Sequence, residues 1–164
     1  MSIFRGYVVD SLGVSISATT AIPVLYIAAA SAADLNITRV KVQCEAASSP
    51  APPSNGSILW TLNLVTGTVG GGGSVTPEPT GQSTLAAQTT FTSANSAAIT
   101  GLTKSTEFWH GVIPFTAGAW AEDTFENTGF EINIPHSGIY AVYMTAASGA
   151  GSGCNGRVGL WFAE

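Results

Sequence analysis

Residues 126–164 constrain this chain more than any other stretch. They hold three short runs, at 129–134, 138–146 and 156–163, in which apolar and polar residues alternate. A period of two sends successive side chains to opposite faces of a pleated strand. Pro135-His136-Ser137-Gly138 and a glycine-serine stretch separate the runs, and such residues supply turns. The pattern predicts a closing β-meander whose last strand is locked into a sheet.

The same period recurs upstream. Over residues 36–45, Val40, Val42 and Cys44 point one way, while Arg39, Lys41, Gln43 and Glu45 point the other. One face therefore meets a core and the other meets water or a partner. Ile58, Trp60, Leu62 and Leu64 repeat the pattern over 57–65. Further strands are expected at 4–9, 24–28, 89–92, 97–102 and 106–115. No stretch of about a dozen residues carries a clean helical period, although residues 28–33 suit either a single helical turn or a tight loop. Many short strands with turn residues between them predict an all-β fold, a sandwich or barrel. Two segments read as surface loops: the proline-rich residues 48–56 and the glycine-rich residues 67–82. Gly70 to Gly73 are not a phosphate cradle, because the Lys-Ser/Thr and helix start of a P-loop do not follow.

Composition narrows the function. Charged residues make up 9% of the 164 and hydrophobic ones 45%, against about 25% charged in ordinary soluble domains. Such a chain is apolar enough to fold. Its five cations, Arg5, Arg39, Lys41, Lys104 and Arg157, form no basic stripe, and the net charge is -5. Nucleic acid is therefore not an expected partner. Neither is a membrane, because the most apolar segment, residues 21–33, is too short to span one. The first ten residues lack the basic start and apolar stretch of a signal peptide, so the expectation is synthesis in a cytoplasm. Cys44 and Cys154 are too few for a disulfide scaffold. Antiparallel neighbours could bring them together, but thiols are the expectation for a cytoplasmic product.

No catalytic, cofactor or metal site is expected. Glu107 and His110 lie three apart on a strand and should face opposite sides. His136 falls in a turn, and no serine sits in a nucleophile elbow. Glu122, Asp123 and Glu126 form the one acidic cluster, which reads as a surface turn; a glycosidase would need two carboxylates set across a sugar, and an EF-hand loop a different spacing. Trp60 and Trp161 sit in strong strand patterns where packing is the default. Trp120, beside Gly118 and the acidic turn, is the tryptophan expected to be exposed.

Several features together resemble the jelly-roll head decoration (capsid-stabilising) proteins of tailed bacteriophages. These are a short N-terminal arm, a Pro/Ser/Gly-rich loop after an early strand, Ile37-Thr38-Arg39-Val40-Lys41-Val42, Thr66-Gly67-Thr68 and Thr76-Pro77-Glu78-Pro79. The ending adds Phe130-Glu131-Ile132-Asn133-Ile134-Pro135, Gly138-Ile139-Tyr140, Met144-Thr145-Ala146-Ala147 and Val158-Gly159-Leu160-Trp161-Phe162-Ala163-Glu164. The resemblance covers most of residues 20–164. It implies a non-catalytic jelly-roll-like antiparallel β-sandwich, often a homotrimer, on the outer surface of a virion capsid, with the major capsid protein as partner. Residues 1–15 are then an N-terminal arm or first strand, and residues 16–164 the sandwich domain. Phe4, Tyr7 and Val8 are the expected anchors of the arm, and Trp120 a further contact. The alternative is a trimeric receptor- or glycan-binding head of a phage tail fibre, with Trp120 and its acidic turn as the site.

Overall fold

The computed structural model describes residues 6–16, 20–46, 56–80, 85–114, 118–125, 132–146 and 154–164, and among these it contains no helix. The strands are β1 (Gly6–Asp10), β2 (Val14–Ser15), β3 (Ile22–Ala28), β4 (Leu35–Ala46), β5 (Ser57–Gly70), β6 (Gly73–Val75) and β7 (Glu78–Pro79). They continue as β8 (Thr90–Ser93), β9 (Thr100–Pro114), β10 (Trp120–Thr124), β11 (Ile132–Ile134), β12 (Ile139–Ala146) and β13 (Cys154–Ala163). Sheet A runs β10-β4-β13-β1-β7, with β11 beside β4 and β2 beside β13. Sheet B runs β6-β8-β3-β12-β5-β9. All pairings are antiparallel. The two sheets form a sandwich, with topology consistent with a jelly roll.

Alternation builds the core. Val40, Val42 and Cys44 of β4 are buried, and so are Val158, Leu160 and Phe162 of β13. Their β-branched and aromatic side chains suit a half-buried pleated surface. In β1, Tyr7 and Val9 point inward. The Tyr7 ring stacks on Phe162 at 5.4 Å, and Phe162 meets Phe91 of the opposite sheet at 5.1 Å. This aromatic column ties the first strand, the last strand and sheet B together.

The closing segment is not a meander. β11 pairs with β4 in sheet A, β12 lies between β3 and β5 in sheet B, and β13 returns to sheet A between β4 and β1. Alternation specifies which side of a strand is buried but not which sheet receives it. The last strand is nevertheless held in the sheet interior, and the Glu164 carboxylate beyond it accepts the backbone N–H groups of Gln88 and Thr89 at 2.8 Å each.

The glycine-rich stretch is also more ordered than a loop. β5 continues to Gly70 against β9, and β6 and β7 follow. Gly67 and Gly101 have φ of 107° and 77°, and a Cβ on either would strike a carbonyl oxygen of the facing strand. Glycine is what lets this end of the ribbon bend. On the outer side of sheet B, Tyr26, Val65, Ile99, Ala141 and Tyr143 are buried in a second, smaller cluster. Cys44 is disulfide-bonded, which corrects the expectation of thiols; Cys154 is the chain's other cysteine. Residues 48–55 of the proline-rich loop lie outside the described residues.

Candidate binding faces

In a chain this poor in charge, three of the five cations share the outer face of sheet A. β4 presents Arg39, Lys41, Gln43 and Glu45, because its alternate residues fill the core. β13 presents Arg157, Gly159 and Trp161 for the same reason, and β1 adds Val8 and Asp10. β10 brings Trp120 opposite Gln43 and Glu122 opposite Lys41.

These groups hold one another in place. The Arg157 guanidinium donates through Nε to both Asp10 oxygens, at 2.7 and 2.8 Å, and through Nη1 to Glu45 at 2.9 Å. The two carboxylates raise the Arg157 pKa above its ordinary value. Arg39 lies 4.8 Å over the Trp161 ring and 3.6 Å from Glu122. The Lys41 ammonium sits 5.4 Å from the Trp120 ring centre, within cation–π range. Among the described residues Lys41 makes no ion pair.

Asp10 is fixed by the turn that follows it. Its Oδ1 accepts the Leu12 N–H at 2.8 Å, and Leu12 adopts φ 58°, a conformation uncommon for a branched side chain. The intervening Ser11 is fully buried; its Oγ accepts the Val158 N–H at 2.9 Å, and its carbonyl accepts the Ser93 hydroxyl. Two recesses open on this face and share Asp10 and Arg157. One, of about 240 Å³, is walled by Lys41, Gln43, Gly159 and Trp161. The other, of about 520 Å³, reaches Leu12, Thr76 and Glu78.

A second surface of different character lies along β9, an edge strand of sheet B. Leu59 and Val112 pair across β5 and β9, with 41% and 60% of their surface exposed. Phe108 is the residue skipped where Leu62 pairs with Trp109 and Asn63 with Glu107. Its ring lies 5.3 Å from that of Tyr140, yet 46% of the residue stays exposed. The next residue, Trp109, packs edge-on against Phe125 at 4.9 Å and donates to Asp123 at 3.0 Å.

The expected contact residues fare differently. Trp120 is exposed to 61%, as its surroundings predict. Tyr7 is sealed in the core at 1%, so it does not serve as an arm anchor. Val8 is half-buried and pairs with Trp161 within sheet A, so residues 6–10 are a first strand. Phe4 lies outside the described residues. The acidic cluster is split, with Glu122 facing Arg39 on the outer face and Asp123 facing Trp109; Glu126 lies outside the described residues. Glu107 and His110 do meet, at 2.8 Å, against the expectation from simple alternation. His136 is in its turn, where its Nδ1 and backbone N–H approach Asp34 at 3.2 and 2.7 Å. These two bonds depress the Asp34 pKa. No group of three metal-ligating side chains occurs among the described residues. Nothing in the sequence around Asp10 marks it for this face, whereas the alternation of residues 156–163 puts Arg157 and Gly159 beside Trp161. No protein family, curated protein or solved structure matches this chain.

Proposed function

We propose that this is a structural virion protein that binds the outside of an assembled phage capsid and stabilises it without catalysis. The observation that carries the reading is the β9 edge, where the exposed Val112 lies opposite the exposed Leu59 of β5 on the outer face of sheet B, and β9 ends the strand order of that sheet among the described residues. Exposed apolar side chains of this kind suit the dry centre of a protein interface. An open strand edge is also a template for pairing with another chain. The resemblance to head decoration proteins supplies the partner, the major capsid protein, and the trimer that would multiply weak contacts by avidity. A protein that binds the closed shell better than its parts adds its binding free energy to shell stability. A rigid, centrally tied sandwich suits that role.

The test is co-sedimentation with assembled shells and, separately, with dissociated capsid subunits. The wild-type chain is expected to pellet with shells and to raise their resistance to heat. Val112→Asp, at an exposed site, is expected to fold normally and to lose shell binding by at least tenfold. Wild-type protein that ignores shells, or Val112→Asp and Leu59→Ser proteins that both bind as well as wild type, would overturn the reading.

A further inference from the structure

We propose that the outer face of sheet A carries a saccharide-binding cleft, centred on Asp10, Lys41, Gln43, Arg157, Gly159 and Trp161. This face is distinct from the β9 edge, so a chain docked by that edge would still have the cleft to offer.

The chemistry of the walls points to a sugar. A pyranose presents flat patches of C–H groups and a rim of hydroxyls that both donate and accept. Trp161 supplies an indole wall that lies close over the buried Gly159, where a Cβ would stand 3.2 Å from the ring. Gln43 offers an amide donor and acceptor, Asp10 offers carboxylate acceptors, and Lys41 and Arg157 offer donors. A small aliphatic ligand would leave these polar groups stranded. A nucleic acid would meet Asp10, Glu45 and Glu78 on the same face.

Shape and rigidity extend the argument. The two recesses, about 240 and 520 Å³, meet at the Asp10–Arg157 pair. A ligand following them would cross β13 and β1 toward the β6–β7 connection, which favours an oligosaccharide over a single ring. The walls are held before any ligand arrives. Arg157 is clamped by two carboxylates, Trp161 lies under Arg39, and Asp10 is fixed by the Leu12 turn. Pre-organised walls spare the ordering cost that weakens recognition by mobile side chains. The Lys41 ammonium, which makes no ion pair among the described residues, sets the preference within the class: a sugar bearing a carboxylate gains a charge-assisted hydrogen bond there.

The experiment is an array of neutral and acidic oligosaccharides probed with the labelled full chain, followed by calorimetric titration of the strongest binder. Retention of oligosaccharides is expected, with acidic ones ahead. Trp161→Ala and Gln43→Ala are each expected to weaken binding at least tenfold, and Lys41→Met to remove the acidic preference. Gln43 is a surface residue whose loss leaves the core intact, so Gln43→Ala keeps the test valid if Trp161→Ala folds poorly. An array that retains nothing, or binding that survives both Gln43→Ala and Trp161→Ala, overturns the proposal. Shell co-sedimentation of Gln43→Ala should remain at the wild-type level, so this proposal and the capsid reading can fail separately.

Discussion

Glu107 and His110 lie on the same side of β9, their side chains 2.8 Å apart, although a regular strand would send them to opposite faces. The bulge at Phe108 is the cause. It inserts one extra residue between Trp109 and Glu107, so Glu107 changes face. Both side chains are well exposed, and exposed ion pairs contribute about 0–1 kcal/mol. His110→Ala should therefore shift stability by no more than about 0.5 kcal/mol. Thermal melts of the variant at neutral pH check this, and a large loss would show that the pair, rather than the ladder, holds the bulge.

Gly111→Ala should be far more harmful than its size suggests. A Cβ at Gly111 would lie 2.6–2.7 Å from the Trp60 indole, and Trp60 is buried in the core with little room to withdraw. Overpacking of this kind costs about 1–3 kcal/mol. Denaturant titration should show a lower midpoint with an unchanged slope. A midpoint equal to wild type would mean that the indole can move.

Reduction should destabilise the fold. Cys44 is fully buried and disulfide-bonded, and a bond closing a long loop chiefly restricts the unfolded chain, typically by about 2–4 kcal/mol. Melting with and without a thiol reductant, together with a Cys44→Ser variant, measures the effect. Both are expected to melt at lower temperature by a similar amount. Unchanged melting on complete reduction would contradict the account.

Alkaline pH should weaken the sandwich. Burial raises the pKa of Tyr26, Tyr140 and Tyr143 above the ordinary 10.0, because a phenolate is poorly solvated there. The unfolded chain therefore loses these protons first. The stability they contribute is fully present below pH 10.0 and is lost as pH rises through the folded values. Lys104, 4.2 Å from the Tyr143 ring, has its pKa lowered by burial and works in the opposite sense. Phenolate absorbance should show three late-titrating tyrosines, with the denaturant midpoint falling over the same range. Tyrosines that all titrate at the ordinary value would contradict this.

Much of the architecture is legible in single runs of sequence. β4, β12 and β13 announce their buried faces through Val40, Val42, Tyr140, Val142, Leu160 and Phe162, and the exposure of Trp120 follows from its neighbours. What alternation does not carry is partnership. Whether β12 pairs beside β13 or in the opposite sheet depends on contacts distant in the chain, so the meander reading fails there. Bulges hide for a similar reason: Thr38 and Phe108 look like ordinary strand residues until the facing strand skips them. β10 is missed because its acidic residues resemble a turn, although Trp120 and Glu122 do share a face. The binding cleft is half-legible. Trp161, Gly159 and Arg157 are visible as one face, but Asp10 and Gln43 join it only through the order β4-β13-β1.

The most direct measurement of the central claim is electron microscopy of the particle that carries this protein, at a resolution that separates the two sheets. Density is expected on the outer shell at threefold or quasi-threefold positions, with the β9 edge and Val112 against neighbouring protein and the Trp161 face turned to solvent. Density confined to the tail tip, or a shell contact made by the Trp161 face with β9 exposed, would contradict it.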